Sequence, residues 1–322
     1  MKKKILFVTD VLDELDLKKD TSVLMMEESL IHGFDIYQCE MNKLYVENKQ
    51  VKAFAKRITS ASIKKIEFEE SIESSLTEYS YCFMRKDPPV DENYINTLHL
   101  LSLAKEQGVS VFNDPLSIKE FNEKVFALHF SKYIPKTLIS SEIKKIEKFF
   151  NENGQIIVKP LDGMGGKSIY KLDKMGESEK AILKEITNNE TTQIISQEFI
   201  KEIYDGDFRV LIIHGKPFIK TLARIPQGNS FKGNLAAGGK GVVKDITEFQ
   251  HNLASEIGNF LMQKGINFAG IDVIGEYLTE INITSPTCAR QILDQSGMNA
   301  AKEYIKNLWP LSAPLKKRVK DL

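Results

Sequence analysis

A chain of 322 residues with 42% hydrophobic content has material for two or three domains, each with its own core. Its 44 lysines and arginines balance 44 acids, so no global field favours nucleic acid or an anionic membrane, and an anionic ligand has to be held by local charge. No apolar run reaches membrane-spanning length, and the basic start, Met1 to Lys4, leads into only Ile5 to Val8, too short for the apolar region of a secretory signal. The cysteines, Cys39, Cys82 and Cys288, are odd in number and lack metal-ligand spacing, which argues against a disulfide framework and for a reducing cytoplasm.

In chain order, Lys4 to Val8 reads as a strand ending at Asp10, followed by a helix over Asp20 to His32 that Gly33 closes. Phe34 to Cys39 is a strand, Leu44 to Val46 and Val51 to Ala53 suit a small hairpin, and Tyr81 to Met84 leads into the rigid loop Arg85 to Pro89. Tyr94 to Glu106 is helical and Val109 to Phe112 strand-like, an alternation that implies a parallel, Rossmann-like sheet. In such a sheet the strands' carboxyl ends face the ligand, which is where Asp10, Arg85 and Asp87 fall. No G-x-G-x-x-G follows the first strand, so a dinucleotide oxidoreductase is disfavoured.

Asn113 to Pro115 mark a boundary, after which Ser117 is expected to cap a helix running to about Ser131. A strand near Thr137 to Ile139 and a charged helix over Ser141 to Asn151 precede the most informative stretch, IIVKPLDGMGGKSI, Ile156 to Ile169. It joins a buried strand to Lys159, to Pro160, which should stop pairing, and then to Gly163, Gly165 and Gly166, whose missing Cβ atoms let backbone amides surround phosphate oxygens. A Walker A loop needs glycine where Leu161 stands and opens a helix, whereas Ser168 to Leu172 alternates like a strand; the stretch reads as a hairpin lid folded over a nucleotide, with a plain glycine-rich turn as the alternative. A helix near Glu177 to Thr187, a strand over Thr192 to Gln197 and a hinge at Glu198 to Ile200 follow.

Arg209 to Ile213 and Phe218 to Ala223 read as a hairpin; with Gly215 and Lys216 as its turn, Asp207 faces Arg224 and shares a face with Arg209. Ile225 to Gly241 has five glycines and no apolar period, so it reads as a mobile lid whose Lys232 and Lys240 reach an anionic substrate. Past a helix over Ile246 to Lys264, the strands Phe268 to Gly275 and Leu278 to Thr284 carry Asp272, Glu280 and Asn282, oxygen donors for a hard cation. A two-residue turn at Gly275 and Glu276 sets Asp272 against Thr279 and points Glu280 away. A common site therefore needs a three-residue connection, Gly275 to Tyr277, or an equivalent bulge. Beyond a last helix, Asn299 to Leu308, the tail with Lys316, Lys317, Arg318 and Lys320 reads as solvated and frayed.

The segments MRKDPP (84–89), NEK (122–124), KPLDGMGG (159–166), DGDFRV (205–210), ARIPQG (223–228), GNLAAGG (233–239) and TEINITSPT (279–287) resemble, in order and spacing, the prokaryotic glutathione synthetases of the ATP-grasp superfamily, over about Lys4 to Arg290. The resemblance implies an α/β (α+β) ATP-grasp fold: an N-terminal Rossmann-like parallel-sheet domain (1–122), a small central lid domain (123–200) and a C-terminal antiparallel-sheet catalytic domain (201–322) with its flexible loop over 225–241. It implies ATP-dependent ligation of γ-glutamylcysteine to glycine through an acyl phosphate, with Mg²⁺, or Mn²⁺ as the alternative, in a cytoplasmic homo-oligomer (tetramer or dimer) that needs neither nucleic acid nor membrane. For ATP it implies Lys124, Lys159, Asp162, Gly163, Met164, Gly165 and Gly166 at the phosphates, Glu198, Phe199 and Ile200 at adenine, and Asp207 at the ribose. The implied metal ligands are Asp272, Glu280 and Asn282, and the implied catalytic residues Arg209, Arg224 and Lys232. Arg85, Asp87, Gly233, Asn234, Ser285, Pro286 and Thr287 join Arg209 and Arg224 on the substrates, with Cys288 in the glycine turn as a structural thiol. The family pattern has arginine where Lys232 stands, and lysine lacks the bidentate fork. Another ATP-grasp ligase, joining D-alanine or glutamate, and a non-catalytic ATP-binding module are the rival readings.

Overall fold

The computed structural model describes residues 3–308 apart from 164 and 167; Met164 and the basic tail lie outside the described residues. The first seven-stranded sheet has the order β3-β4-β2-β1-β6-β7, with β5 added to β4. Its parallel heart is β1 (Lys4–Val8), β2 (Asp35–Cys39), β6 (Tyr81–Met84) and β7 (Ser110–Phe112), linked by α1 (Thr21–Ile31) and α2 (Glu92–Glu106). Asp20 caps α1 by accepting from the amides of Ser22 and Val23, and Asp91 caps α2 by accepting from Tyr94.

The small hairpin expected near residue 50 is part of a larger antiparallel flank: β3 (Leu44–Glu47), β4 (Gln50–Ala61) and β5 (Ile66–Ser75). β5 carries four glutamates and is exposed over most of its length, so it lacks the apolar alternation that marks a half-buried strand. Pairing with β4, with Arg57 bonded to Glu69, holds it at the sheet edge.

The helix expected from Ser117 to Ser131 is broken. α3 (Pro115–Glu120) is capped by Asp114, with Pro115 at its first position, while the Ser117 hydroxyl donates to the Lys264 carbonyl. After Phe121 the Asn122 side chain accepts from the amides of Lys124 and Val125, a local bond that competes with helix continuation, and a 3-10 segment resumes at Phe126–Tyr133.

The second sheet, in the order β10-β9-β11-β8, consists of β8 (Thr137–Ser140), β9 (Ile156–Pro160), β10 (Tyr170–Leu172) and β11 (Ile194–Glu198), with α4 (Ile143–Asn153) and α5 (Glu177–Ile186) between them. β10 runs antiparallel to β9 with Tyr170 opposite Val158, so the glycine stretch is the tip of a hairpin. Pro160, in register with Ile194, is the last residue of β9, and pairing stops there as expected. This sheet has a core of its own, Ile146, Ile156, Val158, Leu172, Leu183 and Ile194. The other two sheets share theirs: Phe83 of β6 packs on Tyr304, as does Phe268.

The third sheet, β14-β13-β12-β15-β16, contains β12 (Asp207–Ile213), β13 (Lys216–Ile225), β14 (Lys240–Asp245), β15 (Phe268–Ile274) and β16 (Tyr277–Asn282). Helix α6 (Glu248–Gln263) packs on one face, and α7 (Ala289–Ser296) and α8 (Ala300–Lys306) close the other. Asn113 stitches the first sheet to the third: its amide donates to the carbonyls of Phe268 and Ile283, at 2.7 Å each, and its oxygen accepts from Asn267 and Phe268.

Candidate active site

Two cavities meet on the face of the third sheet that looks toward the glycine hairpin. The narrower lies between the second and third sheets and is walled by Lys159, Phe199, Ile200, Asp207, Lys232 and Glu280. The larger, about 650 Å³, opens between the carboxyl ends of β1 and β6 and the turn after β16, with Arg209 and Arg224 at its inner wall.

Asp207 stands opposite Arg224 in the β12–β13 ladder, as the sequence suggested, but by another route. The tight turn is His214–Gly215, pairing Ile213 with Lys216, and three residues of β13 stand against Leu211 before regular pairing resumes. Displacing the ladder by an even number of residues keeps the same side chains on the same face. Asp207, Arg209 and Arg224 thereby join Asp272 of β15 in one buried cluster. Arg209 is bidentate on Asp272, Nε to Oδ1 at 2.5 Å and Nη2 to Oδ2 at 2.9 Å. Arg224 Nη2 bridges Asp207 Oδ2 at 2.6 Å and Asp272 Oδ1 at 2.9 Å. The two carboxyls part in acidity. Burial raises both, but at Asp272 the two guanidinium groups overturn it and hold the carboxyl well below the usual range. At Asp207 burial prevails over Arg224, and the carboxyl is pushed up. Asp207 Oδ1 is buried without a hydrogen-bond partner among the described residues, and Asp207 lines the narrower cavity.

The metal hairpin takes the even register. Tyr277 pairs with Ile274 and Leu278 with Val273 across a two-residue turn, then Thr279 bulges out, and Glu280 stands directly opposite Asp272 with Asn282 opposite Gly270. The bulge alternative is the one realised. The Thr279 hydroxyl donates to the Asp272 carbonyl, which pins the bulge. Glu280 is held by Lys124 at 2.9 Å, and the Asn282 amide donates to Asp272 Oδ2 at 3.4 Å. Among the described residues no three His, Cys, Asp or Glu side chains assemble as a metal cluster. Asp272, Glu280 and Asn282 carry the oxygen donors that a hard divalent cation takes, with Asp272 engaged here by Arg209 and Arg224 and Glu280 by Lys124.

Lys124 is the hub of the phosphate grip. Besides Glu280 it donates to the Gly163 carbonyl at 2.6 Å and the Leu161 carbonyl at 3.4 Å. Lys159 emerges beside it without an ion pair among the described residues; burial lowers its pKa, Glu280 partly offsets this and Lys124 adds to it. Gly165 and Gly166 have positive φ, and a Cβ on Gly166 would lie 2.9 Å from Asn234 Oδ1, so the grip needs glycine where the 225–241 segment folds onto it. Lys232 Nζ donates to the Gly166 carbonyl at 3.0 Å, which places it over the narrower cavity. That segment is more ordered than its composition suggests: Leu235–Ala237 form a 3-10 turn, and Lys240 to Asp245 form β14. Lys240 is exposed opposite Ile225 and lines neither cavity. Asp162 is exposed at the hairpin tip.

Phe199 and Ile200 wall the narrower cavity with Glu198, and Lys171 lies 4.1 Å from the Phe199 ring centroid, a cation–π contact that sequence reading missed. In the larger cavity Asp87 accepts from the Ser285 hydroxyl, and its amide donates to Asp10 Oδ2. Pro286, Thr287 and Cys288 complete the turn, with Cys288 buried at φ +87° as the residue before α7. Arg85 is buried outside the cavity lining. Its Nη2 donates to the Pro286 carbonyl at 3.0 Å and its Nε to the Ser22 hydroxyl, so it clamps the turn from behind. Gly233 is backed against the Arg224 carbonyl, 2.4 Å from where a Cβ would stand.

Known proteins match this chain over nearly its whole length. "Prokaryotic glutathione synthetase, N-terminal domain" matches residues 3–119 and "Prokaryotic glutathione synthetase, ATP-grasp domain" residues 123–297. The glutathione synthetase of Nitrosomonas europaea is 39% identical over 303 residues, covering 92% of this chain and 95% of that protein. That of Pseudomonas syringae pv. tomato is 40% identical over 294 residues, covering 91% and 92%. Among solved structures, a D-cycloserine synthetase aligns over 96% of this chain and 100% of its own at a TM-score of 0.66 with 12% identity, which shows a shared fold. With both domains matched in order, the chain belongs to the prokaryotic glutathione synthetase family and has its ATP-grasp fold.

Proposed function

We propose that the chain joins γ-glutamylcysteine to glycine at the expense of ATP, giving glutathione, ADP and phosphate through an acyl phosphate. Family membership supports the reaction, and one observation carries its location: Arg209 and Arg224 face the larger cavity while their partners Asp207 and Asp272 face the narrower one. The guanidinium pair thus lies where a carboxylate from one side meets a phosphoryl group from the other.

Two anions must approach in line, and their repulsion is the barrier. We assign Lys124, Lys159 and the 163–166 loop to the ATP phosphates, Glu198 to Ile200 to adenine, and the orphan Oδ1 of Asp207 to a ribose hydroxyl. Arg224 and Arg209 hold the cysteinyl carboxylate as its oxygen bonds to the γ-phosphorus and the bond to ADP breaks. A divalent cation held by Asp272, Glu280 and Asn282, Mg²⁺ with Mn²⁺ as the alternative, would supply charge neutralisation at the phosphate oxygens. Glycine's amine then attacks the acyl carbon, phosphate leaves, and the amine sheds its proton. Lys232 and the 233–239 segment, closed on Gly166, keep water from the acyl phosphate. Ser285 to Thr287 hold the small substrates, with Arg85 fixing that turn through Pro286.

We read the three sheets as the domains 1–122, 123–200 and 201–322, assembled as a homo-oligomer in the cytoplasm; no helix among the described residues is long and apolar enough to cross a membrane. Phosphate release with ATP, Mg²⁺, γ-glutamylcysteine and glycine, omitting each in turn, tests the reaction. Release that needs all four is expected; none with that pair, but release with two D-alanines, would move the chain to another ligase class.

A further inference from the structure

The reaction above leaves Glu123 without a task, yet its surroundings are built. Its Oε1 accepts three hydrogen bonds, from the amide of Ile283 at 2.8 Å, the amide of Thr284 at 3.0 Å and the Thr284 hydroxyl at 2.9 Å. Its own carbonyl accepts from Ile281 at 3.0 Å. These are the residues that carry the chain off the end of β16 into the turn Ser285 to Thr287. Two amides leaving a strand need acceptors, and one carboxylate oxygen supplies them with charge-assisted bonds.

Both neighbours of Glu123 reach the opposite way. The Asn122 amide donates to the Leu161 carbonyl at 3.2 Å, and Lys124 holds the carbonyls of Leu161 and Gly163 together with Glu280. Three consecutive residues thus grip the glycine hairpin on one side and the substrate turn on the other. The other clamps on that turn and its approach, Arg85 on Pro286, Asp87 on Ser285 and Asn113 on Ile283, anchor it to the first sheet and have no hydrogen bond to the hairpin among the described residues. The hairpin belongs to a sheet with a separate core, so its position relative to the turn is set by bridges of this kind.

We infer that Glu123 is a positioning residue, and that Asn122–Glu123–Lys124 is the strap through which nucleotide held by the hairpin sets the substrate turn. The inference rests on the ligase reading above and adds a coupling to it. ATP on the hairpin loads Asn122 and Lys124 through the Leu161 and Gly163 carbonyls, and Glu123 passes that load to Ile283 and Thr284. Affinity for the dipeptide then depends on whether the nucleotide site is filled.

The test measures the dissociation constant of γ-glutamylcysteine by calorimetry, with and without saturating non-hydrolysable ATP analogue and Mg²⁺, in the native chain and in Glu123→Ala, Glu123→Gln and Thr284→Val. In the native chain the analogue should tighten dipeptide binding. In Glu123→Ala that ratio should fall toward one and the dipeptide KM should rise on the order of ten-fold, as expected for a lost charged hydrogen bond, while analogue affinity changes less than about two-fold. Glu123→Gln keeps an acceptor oxygen and should restore most of the ratio; Thr284→Val removes one donor, leaves both amides, and should lower it part-way. An unchanged ratio in Glu123→Ala, or Thr284→Val in a chain whose alanine variant does not fold, overturns the strap. So does an equal loss of nucleotide and dipeptide affinity. A native chain that makes no glutathione from these substrates defeats the ligase reading instead, a result seen before any variant is made.

Discussion

Replacing Arg209 by methionine tests whether the buried charges act as one unit. The cluster holds two guanidinium groups and two carboxylates, with exposures of 9% at Asp207, 6% at Arg209, 4% at Arg224 and 3% at Asp272, and its formal charge is zero. Methionine keeps much of the arginine stem's volume, which matters because that stem packs against Gly270. What it removes is both hydrogen bonds to Asp272 and one of two positive charges, leaving an excess negative charge where water does not reach. Breaking a buried pair from one side costs about 3–5 kcal/mol. At roughly 2–4 °C per kcal/mol for a domain of this class, the melting temperature in scanning calorimetry should fall by on the order of ten degrees. Adding Asp272→Asn restores neutrality, since Asp207 and Arg224 remain paired, and the double variant should recover about half of the loss or more. Phosphate release should fall at least about a hundred-fold in both, because the arginine's contact with the reacting groups is gone in either case. A single variant that costs less than about 1 kcal/mol, or a double variant equal to the sum of its parts, would refute the idea of a coupled cluster.

Lys159→Met should leave the melting temperature of the nucleotide-free chain unchanged or slightly raised while weakening ATP binding at least about ten-fold, since it removes a half-buried, partly desolvated ammonium with no ion pair among the described residues; a destabilised variant would show that the lysine is paired without ATP. Lys232→Ala should raise the KM for ATP as well as lower turnover, because Lys232 donates to Gly166 over the narrower cavity, where we place the nucleotide. Proteolysis between Gly228 and Gly241 should slow when ATP is present, and equal cutting with and without it would count against a lid. His214 gives a pH signature: burial lowers its pKa below the ordinary 6.5, so the unfolded chain takes the proton first as pH falls through 6.5, and the stability present above that value is lost below it. Urea midpoints between pH 8 and 5 should fall less in His214→Asn, whose residue tolerates the positive φ of that turn; an unchanged slope would remove His214 as the source.

The β9–β10 hairpin was legible because Ile156 to Leu172 sets a buried strand, a lysine, several glycines and a second strand in immediate succession, and no packing detail alters that order. The parallel strands β1, β2, β6 and β7 were legible for a related reason: residues buried on both faces leave apolar runs such as the ILFV of Ile5 to Val8. β5 was not, since Ile66 to Ser75 spends its charges on solvent and on β4 and leaves no apolar period to detect. β14 escaped because its pairing with β13 is a backbone event, written in a segment whose glycines read as loop. Glu123 escaped too. A single acid in a polar connection has no signature until Ile283 and Thr284, far along the chain, arrive beside it.

Register lies between these cases, and it explains why the opposed pairs could be foreseen while one turn, that of β12–β13, was misplaced. Asking that Asp272 and Glu280 share a face constrains only the parity of the pairing, and parity has few solutions: a longer turn, or one extra residue anywhere between turn and site. The fold puts that residue at Thr279, next to the site, where its hydroxyl can hold the Asp272 carbonyl. The β12–β13 hairpin makes the complementary choice. Its tight turn is shifted by one residue from the expected position, which alone would keep Asp207 from standing opposite Arg224, and the irregularity opposite Leu211 brings the two back together. Turns vary with local backbone preference, whereas the opposed pairs Asp207–Arg224 and Asp272–Glu280 are fixed by the need to place charge on one face. A requirement of the chemistry therefore predicts the pairing at the site more firmly than turn propensity predicts the path by which the chain reaches it.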